Sequence, residues 1–203
     1  MKKLLSILTT LATLAGSASA ADCVLPYNQP GALTPVDWQP AYNVEALYAI
    51  GEHDLLDTWG VRGSFNLYDS GEDTIRHQFS INVAGEYGTV SKTYKDWPED
   101  LSMWMVPVTA GYDLNLGLSD HVFLDLGAKA GWATGGVEVK YNGGKDKVDF
   151  NGFTMGVGAG LKFICGERIY VKVGYEFNRT FVSDEVGINL NQHVITVGLG
   201  TQF

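Results

Sequence analysis

From Tyr42 to Phe203 apolar side chains return at every second position in eight successive runs, separated by clusters of Gly, Asn, Asp and Ser. A period of two belongs to the extended chain, where neighbouring side chains point to opposite faces. The first run sets Tyr42, Val44, Ala46, Tyr48 and Ile50 against Asn43 and Glu45. The third sets Ile75, Phe79, Ile81, Val83 and Tyr87 against Arg76, Gln78, Ser80, Asn82 and Glu86. The sixth sets Phe153, Met155, Val157, Ala159, Leu161 and Phe163 against Thr154, Gly156, Gly158, Gly160 and Lys162. The last sets Ile195, Val197 and Leu199 against Val194, Thr196, Gly198, Gly200 and Gln202. No segment carries a helical period, so the expected class is all-β.

Alternation alone also describes a soluble barrel with its apolar face inside. Side-chain volumes oppose that arrangement. Eight strands enclose a space only just wide enough for side chains, and Trp, Tyr and Phe recur on the apolar face of nearly every run. The polar face is mostly Gly, Ser, Thr and Asn, which leaves room inside for Arg62, Arg76, Glu86, Asp125, Lys129, Lys162, Lys172 and Glu176. Turned outward, the apolar face becomes a belt that suits hydrocarbon. A tilted spanning strand needs about 9–11 residues, and only closure satisfies every backbone group in lipid. The expected fold is therefore an eight-stranded antiparallel transmembrane β-barrel, an up-and-down meander over residues 42–203. Aromatic girdles are expected at Trp59, Tyr87, Trp104, Trp132 and Phe177 on one rim and at Tyr42, Phe163 and Phe203 on the other.

On these residues the chain resembles the small eight-stranded outer-membrane β-barrels of the OmpA/OmpX type, within the porin-like superfamily. The sharpest mark is the ending "HVITVGLGTQF", with Phe203 last and apolar residues at alternate positions before it; Thr201 is less apolar than that pattern usually has. The resemblance implies that Phe203 is the signal read by the barrel-assembly machinery, and that the protein lies in the outer membrane of a Gram-negative bacterium.

The start of the chain reads as a targeting segment. Lys2 and Lys3 precede an apolar stretch from Leu4 to Leu14, and Ala18-Ser19-Ala20 is a small-x-small cleavage pattern, so residues 1–20 are expected to be a signal peptide. Asp22 before Cys23 does not fit a lipid-attachment motif. Residues 21–41, with four of the six prolines, are expected to form an irregular periplasmic lead-in. Without Lys2 and Lys3 the remaining 12 basic residues face 23 acidic ones, a net charge of −11 with no footprint for nucleic acid. Cys23 and Cys165 suit an oxidising compartment and are expected to form a disulfide.

With both termini on the periplasmic side, inner turns are expected near 69–74, 117–120 and 164–167, and outer loops near 51–56, 88–102, 134–150 and 180–189. This places Cys165 in an inner turn, on the same side as Cys23. Within 134–150, Val137, Val139 and Tyr141 approach Gly143-Gly144, and Val148 and Phe150 leave it. That pattern reads as a hairpin continuing past the membrane. Trp97 and Tyr141 are the expected surface contacts.

The chemistry read from the sequence is structural. Arg62, Asp113, Asp125, Lys162 and Lys172 are expected to form a neutralising lumen network, with Glu45 beside Arg62. His53, His77, His121 and His193 are scattered without ligand spacing, so no metal is expected. His77 and Ser80 fall on opposite faces, unlike the His-x-Ser pair of lipid A deacylases, and no catalytic set or cofactor site is visible. The expected function is a non-catalytic, monomeric outer-membrane barrel contacting outer-membrane lipid, with loops for adhesion to an unidentified surface ligand. The rival is a narrow pore or lateral channel for small solutes.

Overall fold

The structure, a computed structural model, describes residues 40–51, 56–72, 75–94, 97–119, 121–141, 144–165, 169–182 and 189–202. Eight strands follow one another: β1 (Pro40–Gly51), β2 (Thr58–Glu72), β3 (Ile75–Tyr94), β4 (Trp97–Ser119), β5 (Val122–Tyr141), β6 (Gly144–Cys165), β7 (Ile169–Val182) and β8 (Asn189–Gln202). Each pairs antiparallel with the next, and β1 closes on β8, giving an up-and-down meander wrapped into a barrel. No helix occurs among the described residues. The expected signal peptide and nearly all of the lead-in lie outside the described residues.

Closure fixes the barrel's shape. Asn66, one step beyond the Tyr42↔Phe65 pair, leads through Ser80, Gly111, Lys129, Gly156, Asn178 and Gln192 back to Gly51. The circuit returns ten residues along β1 from its start opposite Ala41. This stagger sets a strand tilt of roughly 40°.

The faces lie as the alternation requires. Val157 and Leu199 are 61% and 62% exposed on the outside, while Arg62 and Lys162 are buried inside. Glu45, a carboxylate, is among the most deeply buried side chains of the molecule. Buried polar groups line the interior and the apolar belt faces out, the reverse of a soluble core. Three local features depart from simple alternation. A bulge between Asn66 and Tyr68 turns both Leu67 and Tyr68 outward. At Pro107 the β3–β4 ladder skips from Val83↔Val108 to Glu86↔Met105, because proline has no N–H to donate. On β7 the rim aromatic is Phe181, paired with Phe153, which in turn pairs with Trp132; Phe177 lies four residues below it.

The strands differ in length. β1, β2, β7 and β8 have 12, 15, 14 and 14 residues, whereas β3, β4, β5 and β6 have 20, 23, 20 and 22. Residues 88–94 and 97–102 are thus strand and not loop. They are the upper part of β3 and β4, paired through Tyr94↔Trp97. β4 stays paired with β5 to Asp100↔Lys140, and β5 with β6 to Tyr141↔Gly144. The recorded pairing of β2 with β3 stops at Trp59↔Tyr87, and that of β6 with β7 at Gly152↔Val182. A four-stranded sheet therefore continues beyond the barrel by six to eight residues, roughly 20 Å. The continuation of 134–150 as a hairpin agrees with the sequence pattern; the extension of 88–102 was invisible to it, because that stretch has no clean alternation.

Candidate functional site

The lumen gathers the chemistry. In the lower layer, Lys162 on β6 donates to Gln78 Oε1 (3.0 Å) and Asn115 Oδ1 (2.6 Å), and lies 3.2 Å from Asp125 Oδ1. Asn115 in turn donates to Gln78 Oε1 at 3.0 Å. Lys172 on β7 contacts the other oxygen of Asp125 and reaches Glu45 Oε1 at 3.7 Å. In the next layer, Arg62 on β2 spans the lumen. Its Nη1 and Nη2 donate to both oxygens of Glu176 on β7, at 2.8 and 2.6 Å. Its Nε donates to Glu45 Oε2 at 2.7 Å, and Nη2 contacts the same oxygen. Lys129 on β5 completes the layer, 2.5 Å from Glu176 Oε2. Asn43 donates to Glu45 Oε1 at 2.8 Å.

The chain Lys129, Glu176, Arg62, Glu45, Lys172, Asp125 and Lys162 is continuous, and Asn115 and Gln78 attach β4 and β3 to it. Its four cations meet three carboxylates by contact, with Asp113 in the same cavity and within electrostatic reach of Lys172 and Lys162. The charges balance, as burial at low dielectric demands. Of the five expected network residues, the structure brings Arg62, Asp125, Lys162 and Lys172 into this chain of contacts. Asp113 faces the same space yet makes no ion pair among the described residues. Glu176 and Lys129, placed in the lumen by parity alone, prove to be central. β8 contributes no charge here; its Gly198 and Gly200 give space instead. A Cβ on Gly200 would fall into the ring of Tyr170, which lies beneath Lys162 Nζ at 5.8 Å from the centroid.

Above the charges the interior turns apolar, which alternation had not signalled. Leu47, Ala49, Ala84 and Val194 form one buried cluster. Higher still, Glu86 accepts from Thr58 Oγ1 (2.9 Å) and Gln192 Nε2 (3.1 Å). At the mouth Met105, Ala133, Phe150 and Leu190 pack together with Val137 and Val182. Two small cavities, of about 50 and 20 Å³, lie on either side of Arg62 and Lys129, both of which line each one. The larger holds a few waters at most, at ~10–15 Å³ each.

The remaining expected residues are separate. Tyr141 is exposed at the tip of the projecting sheet. Trp97 opens β4, and its side chain lies outside the described residues, as do Phe203 and Cys23; the Cys23–Cys165 pairing and the assembly signal thus fall there too. On the outer surface, His77 Nδ1 lies 2.7 Å from Tyr112 Oη and His193 Nδ1 lies 2.5 Å from Tyr175 Oη, at opposite ends of the barrel wall. Among the described residues no three His, Cys, Asp or Glu side chains come together as a metal site.

Comparison with known proteins follows this geometry. The family described as "Outer membrane protein beta-barrel domain" matches residues 4–203. No curated protein sequence matches the chain significantly. Among solved structures, Neisserial surface protein A is similar at 14% identity and TM-score 0.52, covering 80% of this chain and 94% of its own. The outer membrane enzyme PagL is similar at 14% identity and TM-score 0.53, covering 77% of this chain and 97% of its own. At such identities the likeness is one of fold.

Proposed function

Since the chain belongs to the outer membrane protein β-barrel domain family and resides in the outer membrane, we propose that it is a non-catalytic surface protein whose work is done by the sheet projecting from β3–β6. The carrying observation is that this four-stranded extension stands on a barrel whose lumen is crossed by ion pairs and, nearer the mouth, holds a buried apolar cluster. In this reading the chain termini face the periplasm, where the assembly machinery meets Phe203, and the extension faces outward. Its two lateral edges, β3 beyond Tyr87 and β6 before Gly152, have no strand partner in the recorded pairing. Lys145, Asp146, Lys147 and Asp149 are exposed on β6 and keep that edge soluble. The partner is a surface ligand that meets this sheet.

Against a narrow pore stands the ion-paired layer of Arg62, Glu45 and Glu176, which spans the lumen. The experiment is to join Val137 to Val148, which face each other across β5 and β6, through an Asn-Gly turn, removing the hairpin tip. Binding of cells displaying this chain to host or abiotic surfaces should fall to the level of cells lacking it, while heat-shifted gel mobility stays unchanged. Undiminished binding by the shortened chain would remove the assignment.

A further inference from the structure

Among the described residues the wall of the barrel carries one charge at the upper border of its apolar belt. Tyr175, Phe177, Arg179 and Phe181 share the outward face of β7, because Glu176, Asn178 and Thr180 between them turn inward. Taken strand by strand, every other outward position between the two aromatic rims is apolar, aromatic, glycine, Thr, Asn or His among the described residues. Arg179 is the lone Lys, Arg, Asp or Glu in that belt. Its Nε is buried without a hydrogen-bond partner, and the contact it makes is with the Phe181 ring, 4.9 Å from the guanidinium carbon.

Its height is telling. Arg179 stands ten residues up β7 from Ile169, a rise of roughly 25 Å for a tilted strand, which matches the height of a lipid belt. It lies two residues below Phe181, in the row Trp132, Phe153 and Phe181 that forms the rim aromatics. That is the level of lipid headgroups. Asn191 is its cross-strand neighbour on β8, and His193 follows on the same face, opposite Phe177. Met155 pairs with Arg179 from β6. A cationic fork set between apolar shoulders at the headgroup boundary fits a ligand with a phosphate at one end and acyl chains at the other.

We propose that Arg179, flanked by Asn191 and His193, holds the phosphate of an outer-leaflet lipid headgroup while Phe177, Phe181 and Met155 meet its chains. The site rests on the orientation given above and not on the surface role of the hairpins, so either can fail without the other. A free phosphate ion would gain nothing from the apolar shoulders; the lipid would.

The test uses the folded full barrel in detergent micelles, incubated with diphosphoryl lipid A and examined by native mass spectrometry. Arg179→Ala should reduce the retained lipid by about tenfold relative to the unaltered chain, and Arg179→Lys by less, since it keeps the charge but loses the fork. Lipid A stripped of both phosphates should bind the unaltered chain and Arg179→Ala equally weakly, and millimolar inorganic phosphate should displace none of the diphosphoryl lipid. Equal retention of the diphosphoryl lipid by the alanine variant, retention of the dephosphorylated lipid by the unaltered chain as strong as that of the diphosphoryl form, or displacement by inorganic phosphate would each overturn the proposal. Heat-shifted mobility verifies folding, and Arg179→Gln makes the same comparison should the alanine variant fail to fold.

Discussion

Taking away the guanidinium of Arg62 would leave the carboxylates of Glu45 and Glu176, on opposite sides of the lumen, with one lysine each and a void between them. Removing one partner of a buried ion pair costs about 3–5 kcal/mol, so Arg62→Ala should lose that much in urea unfolding from lipid vesicles. Arg62→Met combined with Glu176→Gln should recover part of it, because no orphaned charge then faces the cavity. Gly200 acts through volume alone. Its Cβ would enter the Tyr170 ring, so Gly200→Ala should cost about 1–3 kcal/mol. Adding Tyr170→Ala should make the pair less harmful than the sum of the single changes, by about 1 kcal/mol in a double-mutant cycle. The presence of Arg62, Asp125, Lys162 and Lys172 in the lumen was legible from parity. Glu45 beside Arg62 could be read from adjacent strands, but the partner across the lumen could not: Arg62 meets Glu176 only because a ten-residue stagger brings β2 and β7 to one height across the axis.

Two valines of β6 separate membrane from solvent. Val157 and Val148 have similar exposure, 61% and 51%, yet Val157 lies within the wall beside Ala128 and Phe177, and Val148 lies in the projecting sheet opposite Val137. Val157→Arg should cost about 2–4 kcal/mol in vesicle-based unfolding, as a charge near the bilayer midplane does. Val148→Arg should stay within about 0.5 kcal/mol. Equal effects at the two sites would place the hydrocarbon boundary elsewhere. At this scale a period of two told strand from helix, and side-chain volume told inside from outside. The sequence pattern missed the extension of β3 to Tyr94 and of β4 from Trp97, in a stretch, "GTVSKTYKDWPEDLS", that mixes polar and apolar residues without order. Above the membrane a strand need not alternate, because both of its faces meet water.

Taken together the described residues form a cylinder filled by side chains and bearing a lopsided crown, and that filling is the property a conductance measurement tests. Purified barrel in a planar bilayer should give no steady single-channel current across physiological pH, and a persistent current would require a water path past both Arg62 and the Met105–Phe150 mouth. The strand number, the apolar belt and the polar lining were determined by the sequence itself, because each follows from alternation and from how few large side chains eight strands can enclose. The apolar layers inside, Leu47 with Val194 and Met105 with Phe150, were decided by the tertiary structure, since inward positions near a barrel's mouth need not be polar. So were the circuit of ion pairs and the isolation of Arg179 on the wall. The physical reason is shared: alternation assigns a residue to a face, while height and neighbours are set by closure, which is a property of all eight strands at once.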